Sequence, residues 1–248
     1  MSRRRWAMLA VALLLGPLLA YWQPWQTRLQ VITKGGKGPP DFMLLHGYGS
    51  AAEYWLPYAQ TIPLAPGGRF LFPQGPESMA RNDLTQVGHA WWDLHLAAHL
   101  RPGKRGVDLT QEEPRGLERA GRLVRGALAD AGNSSSRPFV LGGFSQGAMV
   151  SCEVAFGSDI PLAGLVLLSG TPVDSTGWRG QMARRKGLPV FMSHGRADDI
   201  LPFDLAERLR AELVAAGLAV TFVPFEGGHE IPTQVVVALG KFLAELKR

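Results

Sequence analysis

Phe139-Val140-Leu141-Gly142-Gly143-Phe144-Ser145-Gln146-Gly147-Ala148-Met149-Val150 is the stretch that decides how this 248-residue chain is read. A short apolar run stops at two glycines, and small-to-apolar residues resume just beyond Gly147. That is the strand–turn–helix context a G-x-S-x-G turn requires, with Ser145 at its apex. The turn is tight, so Gly143 and Gly147 are expected where a side chain would collide with neighbouring backbone. Ser145 would then stand above the C-terminal edge of a sheet, at the start of a helix whose dipole favours developing negative charge.

Working outward, similar apolar runs recur: Phe42–His46 ending in Gly47, Phe70–Phe72 ending in Pro73, Leu165–Leu168, Val190–Met192 and Val220–Val223. Runs apolar on both faces and bounded by Gly or Pro are what a parallel sheet covered by helices demands. Between them lie amphipathic stretches. Leu117 to Ala131 puts Leu117, Ala120, Val124, Ala127 and Leu128 on one stripe, Asp204 to Ala216 repeats the pattern, and Gln234 to Leu246 closes the chain. The alternation predicts an α/β fold, mostly parallel with helices on both faces, over residues 27–248. Residues 75–113 break the rhythm and are expected to form an irregular cap or substrate loop.

A serine hydroxyl needs a base, and the base needs a carboxylate to orient it. With the order Ser, then acid, then His, the loop after Val190–Met192 offers Asp198 or Asp199, between which spacing does not decide. The loop after Val220–Val223 offers His229, preceded by two glycines. Negative charge developing on a substrate oxygen calls for two backbone N–H groups. Gln146, the residue after the serine, supplies one; Tyr48, in Leu45-His46-Gly47-Tyr48-Gly49 after an early strand, supplies the other. His46 is then structural, and the aspartate not chosen is either exposed or caps the helix starting near Pro202.

Composition bounds the rest. With 46% hydrophobic and 19% charged residues the chain is not intrinsically disordered. The single cysteine, Cys152, excludes an internal disulfide and a thiolate metal site, and its apolar neighbours make it an inert core thiol. Arg3, Arg4 and Arg5 account for three of the 26 basic residues, leaving 23 against 21 acidic, so no nucleic-acid footprint is expected. Arg184-Arg185-Lys186 is expected as a solvated loop. The same three arginines precede an apolar stretch from Trp6 to Trp22, so residues 1–26 are expected to be a signal peptide or signal anchor outside the domain. That segment would contact or cross a membrane, and the protein would be exported, either membrane-anchored or secreted. No metal or cofactor is expected. His95 and His99 lack a third ligand, and His229-Glu230 does not continue as H-E-x-x-H.

Five pieces together resemble the phospholipase/carboxylesterase family of α/β hydrolases, which includes acyl-protein thioesterases. They are Leu45-His-Gly-Tyr-Gly49, Ala90-Trp91-Trp92-Asp93, Gly143-Phe-Ser-Gln-Gly147, His194-Gly-Arg-Ala-Asp198 with Pro202, and Gly228-His229-Glu-Ile231. The resemblance implies an α/β-hydrolase fold and a serine esterase acting on a small-molecule ester, or a thioester, through an acyl-enzyme. Ser145, His229 and Asp198 would be its catalytic residues, which settles the choice of acid on Asp198. It also implies that Trp91 and Trp92 line the acyl side of the cleft, although a strand could turn only one of them inward. Asp199 stands where the family usually has proline and Tyr48 where it has leucine, and the family's cytosolic thioesterases lack a comparable N-terminal segment. A peptidase or lactone hydrolase could run on the same triad. A non-catalytic module would be marked by an eroded triad, and none is visible.

Overall fold

The computed structural model describes residues 27–80, 87–94, 106–112, 114–173 and 175–246; residues 1–26, with the expected signal segment, lie outside that set, as do His95 and His99. Its centre is a seven-stranded sheet in the order β1-β3-β2-β6-β7-β8-β9. The strands are β1 (Val31–Gly35), β2 (Asp41–Leu45), β3 (Arg69–Pro73), β6 (Phe139–Phe144), β7 (Leu162–Leu168), β8 (Pro189–Gly195) and β9 (Ala219–Phe225). Only β1 runs antiparallel, against β3; every other pairing is parallel.

Side chains along each central strand enter the two faces of the sheet alternately, with the two-residue period of a pleated strand, and both faces are buried. Met43, Leu45, Leu141, Leu165, Leu167, Val190 and Met192 enter one apolar cluster. Phe42, Leu44, Val140, Val166, Leu168 and Phe191 enter the other. The first layer holds α1 (Leu117–Asp130), α2 (Gln146–Phe156), Trp178 of α3 (Ser175–Met182), and Leu209 and Leu213 of α4 (Phe203–Ala215). The second holds α5 (Thr233–Glu245), through Val235, Leu239 and Phe242, with Trp55 and Ile62. Helix α1 buries the stripe Leu117, Ala120, Val124, Ala127 and Leu128. Helix α2 is buried nearly all round, as a helix between a sheet and two neighbouring helices must be.

The irregular stretch expected at 75–113 holds more order than its sequence suggests: β4 (Glu77–Ala80) and β5 (Val87–Ala90) pair as an antiparallel hairpin apart from the main sheet. Arg185 departs from the expected solvated loop. Its guanidinium donates to the carbonyls of Ala155 (2.7 Å) and Ser158, at the C-terminal end of α2, where the last carbonyls lack intrahelical donors and a cation is favoured.

Strand order reverses direction between β2 and β6, because β2 leads outward to β3 while β6 leads the other way to β7. In an open α/β sheet, the carboxyl ends of strands at such a reversal border the binding crevice. Leu45 ends β2 and Phe144 ends β6, so the two motifs read from the sequence meet there.

Candidate active site

Ser145 lies between β6 and α2 at φ 55°, ψ −121°, a conformation a residue with a Cβ adopts only under constraint. The constraint comes from both sides of the turn. A Cβ on Gly143 would fall 2.2 Å from the Gly147 carbonyl carbon, and one on Gly147 would fall 2.4 Å from the Leu45 carbonyl oxygen. Strand, serine and helix can close together only with glycine at both positions. The Ser145 N–H is tied to the Leu168 carbonyl at 2.8 Å, fixing the turn to β7. Ser145 is 8% exposed.

Asp198 and His229 come from the loops after β8 and β9. Two backbone bonds hold these loops together, Arg196 N–H to Phe225 O and Ala197 N–H to Gly227 O, both 2.9 Å. A Cβ on Gly195 would lie 2.2 Å from the Gly228 carbonyl oxygen, so the close approach of the two loops requires glycine at the end of β8. His229 Nδ1 sits 2.7 Å from Asp198 Oδ2. The same oxygen lies 3.2 Å from His194 Nε2, while Oδ1 accepts the Ile200 and Leu201 N–H groups at 3.0 and 2.8 Å. Burial alone would raise the Asp198 carboxyl; hydrogen bonds from His194 and His229 outweigh it and hold the group well below the usual carboxylate range. Asp199 is exposed, and the helix after Pro202 has no side-chain cap.

His194 is a partner that sequence reasoning passed over. It is 1% exposed, and its Nε2 also lies 2.8 Å from the Leu201 carbonyl oxygen. Both neighbours of Nε2 are acceptors, so that nitrogen carries the hydrogen. Nothing in the motif distinguishes such a positioning imidazole from one that fills space. Phe144 is a second omission: its ring packs 4.7 Å from the His229 ring and braces the imidazole from the sheet side.

The loop carrying Tyr48 lies against the serine, since a Cβ on Gly47 would fall 3.3 Å from Ser145 Cβ. It is pinned to β5 by Gly49 N–H to His89 O (2.8 Å) and His89 N–H to Ser50 O (2.7 Å). Gln146 opens α2, so its N–H belongs to the helix's first turn, which has no intrahelical acceptor. Its fully buried side chain has a further role. Oε1 accepts the Trp91 N–H at 3.0 Å and Nε2 donates to the Trp92 carbonyl at 2.8 Å, clamping the segment after β5 to the serine turn.

Both tryptophans are buried, Trp91 at 1% and Trp92 at 4% exposure. Strand alternation does not separate them because β5 ends at Ala90 and the chain bends there. Trp91 is packed structure: its indole N–H donates to the His46 carbonyl at 2.8 Å. Trp92 lines a cavity. His46 accepts the Gly75 N–H on Nε2 at 2.9 Å, so Nδ1 carries the hydrogen and faces the Gly47 carbonyl at 2.8 Å. Burial pushes its imidazole down to about 4; it is structural, as expected. Ser145 and His229 line one small cavity of about 130 Å³ with Leu109, Met149 and Leu201.

A mostly parallel sheet carrying a strained serine at the switch between strand directions is that of an α/β hydrolase. Solved structures agree on the fold: esterase PE8 superposes with TM-score 0.71 at 24% identity over 89% of this chain and all of that one. The acyl-protein thioesterase 2 of Zea mays does so with TM-score 0.68 at 22% identity over 87% and 97%. The chain belongs to the Phospholipase/Carboxylesterase family, whose model matches residues 27–247, and is an ester hydrolase. Among curated relatives, acyl-protein thioesterase 1 of Schizosaccharomyces pombe is 28% identical over 208 residues, 81% of this chain and 88% of the relative. That of Yarrowia lipolytica is 29% identical over 174 residues, 68% and 73% respectively.

The expectation of an exported, membrane-anchored or secreted protein is corrected. It rested on residues 1–26, outside the described set, while the matching relatives are acyl-protein thioesterases. Among the described residues no helix is long and apolar enough to cross a membrane. Helix α1, at 14 residues, rises about 21 Å, against the roughly 30 Å of a bilayer core.

Proposed function

We propose that this protein hydrolyses carboxylic esters through an acyl-enzyme formed on Ser145. His229 takes the serine proton as Oγ attacks the carbonyl carbon. It returns that proton to the departing alcohol, then activates water for the second half of the cycle. Asp198 holds the imidazole with its hydrogen on Nδ1, which leaves Nε2 for the serine. The Tyr48 and Gln146 N–H groups receive the carbonyl oxygen as it becomes negative. The observation that carries this reading is the 2.7 Å contact between His229 Nδ1 and Asp198 Oδ2, beside a cavity that also holds the strained Ser145.

Thioesters are the second substrate class, supported by the relatives named acyl-protein thioesterase. Thiolate departure needs less help from His229, so the same groups suffice. A fluorophosphonate probe is expected to label the wild type and leave Ser145→Ala unlabelled, and equal labelling of both would remove Ser145 from the reaction.

A further inference from the structure

The cavity that holds Ser145 and His229 does not stand alone. A second, of about 650 Å³, adjoins it; Met79, Trp92, Asp93, Glu112 and Arg115 line that outer space. Tyr48, Leu94 and Leu109 line both, so these three side chains form the partition. Tyr48 is held in it from the outer side, where its phenol donates to Asp93 Oδ1 at 3.1 Å. Burial, with the Asp93 charge beside it, pushes the phenol up to about 12, so the ring stays a neutral donor across ordinary pH.

We propose that the Tyr48 side chain is the end wall of the acyl pocket and restricts the enzyme to short acyl chains; this rests on Ser145 being the acylated residue. An inner space of about 130 Å³ is a little smaller than the roughly 150 Å³ apolar cavity that accepts benzene, so it takes about five heavy atoms. Its lining away from the reacting groups is apolar, from Leu94, Val107, Leu109 and Met149. A longer chain would have to displace the tyrosine ring to reach the outer space, where Asp93, Glu112 and Arg115 stand beside Met79 and Trp92. The wall is a side-chain matter, separate from the Tyr48 backbone N–H, which any residue at this position retains.

The test is kcat/KM for 4-nitrophenyl acetate, butyrate and octanoate with the wild type, Tyr48→Leu, and Leu94→Ala, which opens the same partition without touching the tyrosine. The wild type is expected to turn over acetate and butyrate and to discriminate against octanoate by about tenfold or more, the scale of methylene selectivity in a closed pocket. Each variant is expected to raise the octanoate-to-acetate ratio by about tenfold, chiefly through KM. A wild type that prefers octanoate, or a ratio that stays put in whichever variants fold, overturns the wall alone. Failure of the wild type to turn over any of the three overturns the esterase reading beneath it.

Discussion

A carboxylate is buried near each end of the parallel strands, and the two differ in what surrounds them. Asp41, the first residue of β2, is 1% exposed and receives Arg69 Nε and Arg137 Nε, each at 2.6 Å. Asp198, beyond the carboxyl end of β8, is 7% exposed and lies between the imidazoles of His229 and His194. Burial and two-sided support are common to both. The donors separate them, since a guanidinium only donates, whereas an imidazole can both give and accept a proton. One end of the sheet is a fixed clamp joining β2, β3 and the chain entering β6. The other sets a carboxylate against two imidazoles, as the proposed proton transfer requires.

The sharpest way to break this contrast is to neutralise each carboxylate in turn. Asp198→Asn is expected to lower kcat by about 10⁴ through the wrong imidazole tautomer, with some loss of thermal stability as well, because the fold favours the charged carboxylate. Asp41→Asn should cost stability alone. Removing one partner of a buried ionic cluster costs about 3 kcal/mol, a Tm fall of about 10 °C for a chain of this size, with kcat per folded molecule unchanged. Calorimetry alongside steady-state kinetics on both variants would reveal any exchange of roles.

Smaller effects are expected at the end that carries the proposed site. His46 is neutral when folded, with its imidazole held down to about 4. Between that value and the unfolded value near 6.5, the unfolded chain binds more protons, so stability rises with pH across the interval. Going from pH 7 to pH 5 should therefore cost about 2 kcal/mol through this residue, at about 1.4 kcal/mol per unit. Denaturant titration at both pH values would measure the loss, and His46→Gln should flatten the difference. Last comes His194→Leu, which removes one hydrogen bond to the Asp198 charge. It should lower kcat by about tenfold, the equivalent of about 1.4 kcal/mol, with KM unchanged and partial rescue by His194→Gln.

The fold was legible wherever a strand is buried on both faces, because Phe42–Leu45, Phe139–Leu141 and Leu165–Leu168 then read as unbroken apolar runs. It was not legible at β1, whose Val-Ile-Thr-Lys-Gly is half exposed at the sheet edge. Nor was it at the hairpin of β4 and β5, whose pairing is with itself rather than with the sheet. In the site, the loops bearing Ser145, Asp198 and His229 could be found because glycines and chain order mark them. The supporting contacts could not. Gln146 clamps a segment 54 and 55 residues away in sequence, and His194 reaches a carboxylate through a loop whose shape no local pattern encodes. Arg185 looked like part of a charge run because its helix-end carbonyls lie about 30 residues upstream. The length of Trp6–Trp22 and the arginines before it suggested export, and the relatives overturned that suggestion.

The central question is whether the acyl group passes through Ser145. Enzyme quenched in acid during turnover of 4-nitrophenyl acetate, then digested and weighed by mass spectrometry, answers this directly. The prediction is one acetyl group on the peptide spanning Ser145, absent in Ser145→Ala and accumulating further in His229→Ala wherever acylation still occurs. Acetyl on a different residue, or full turnover by Ser145→Ala, would contradict it.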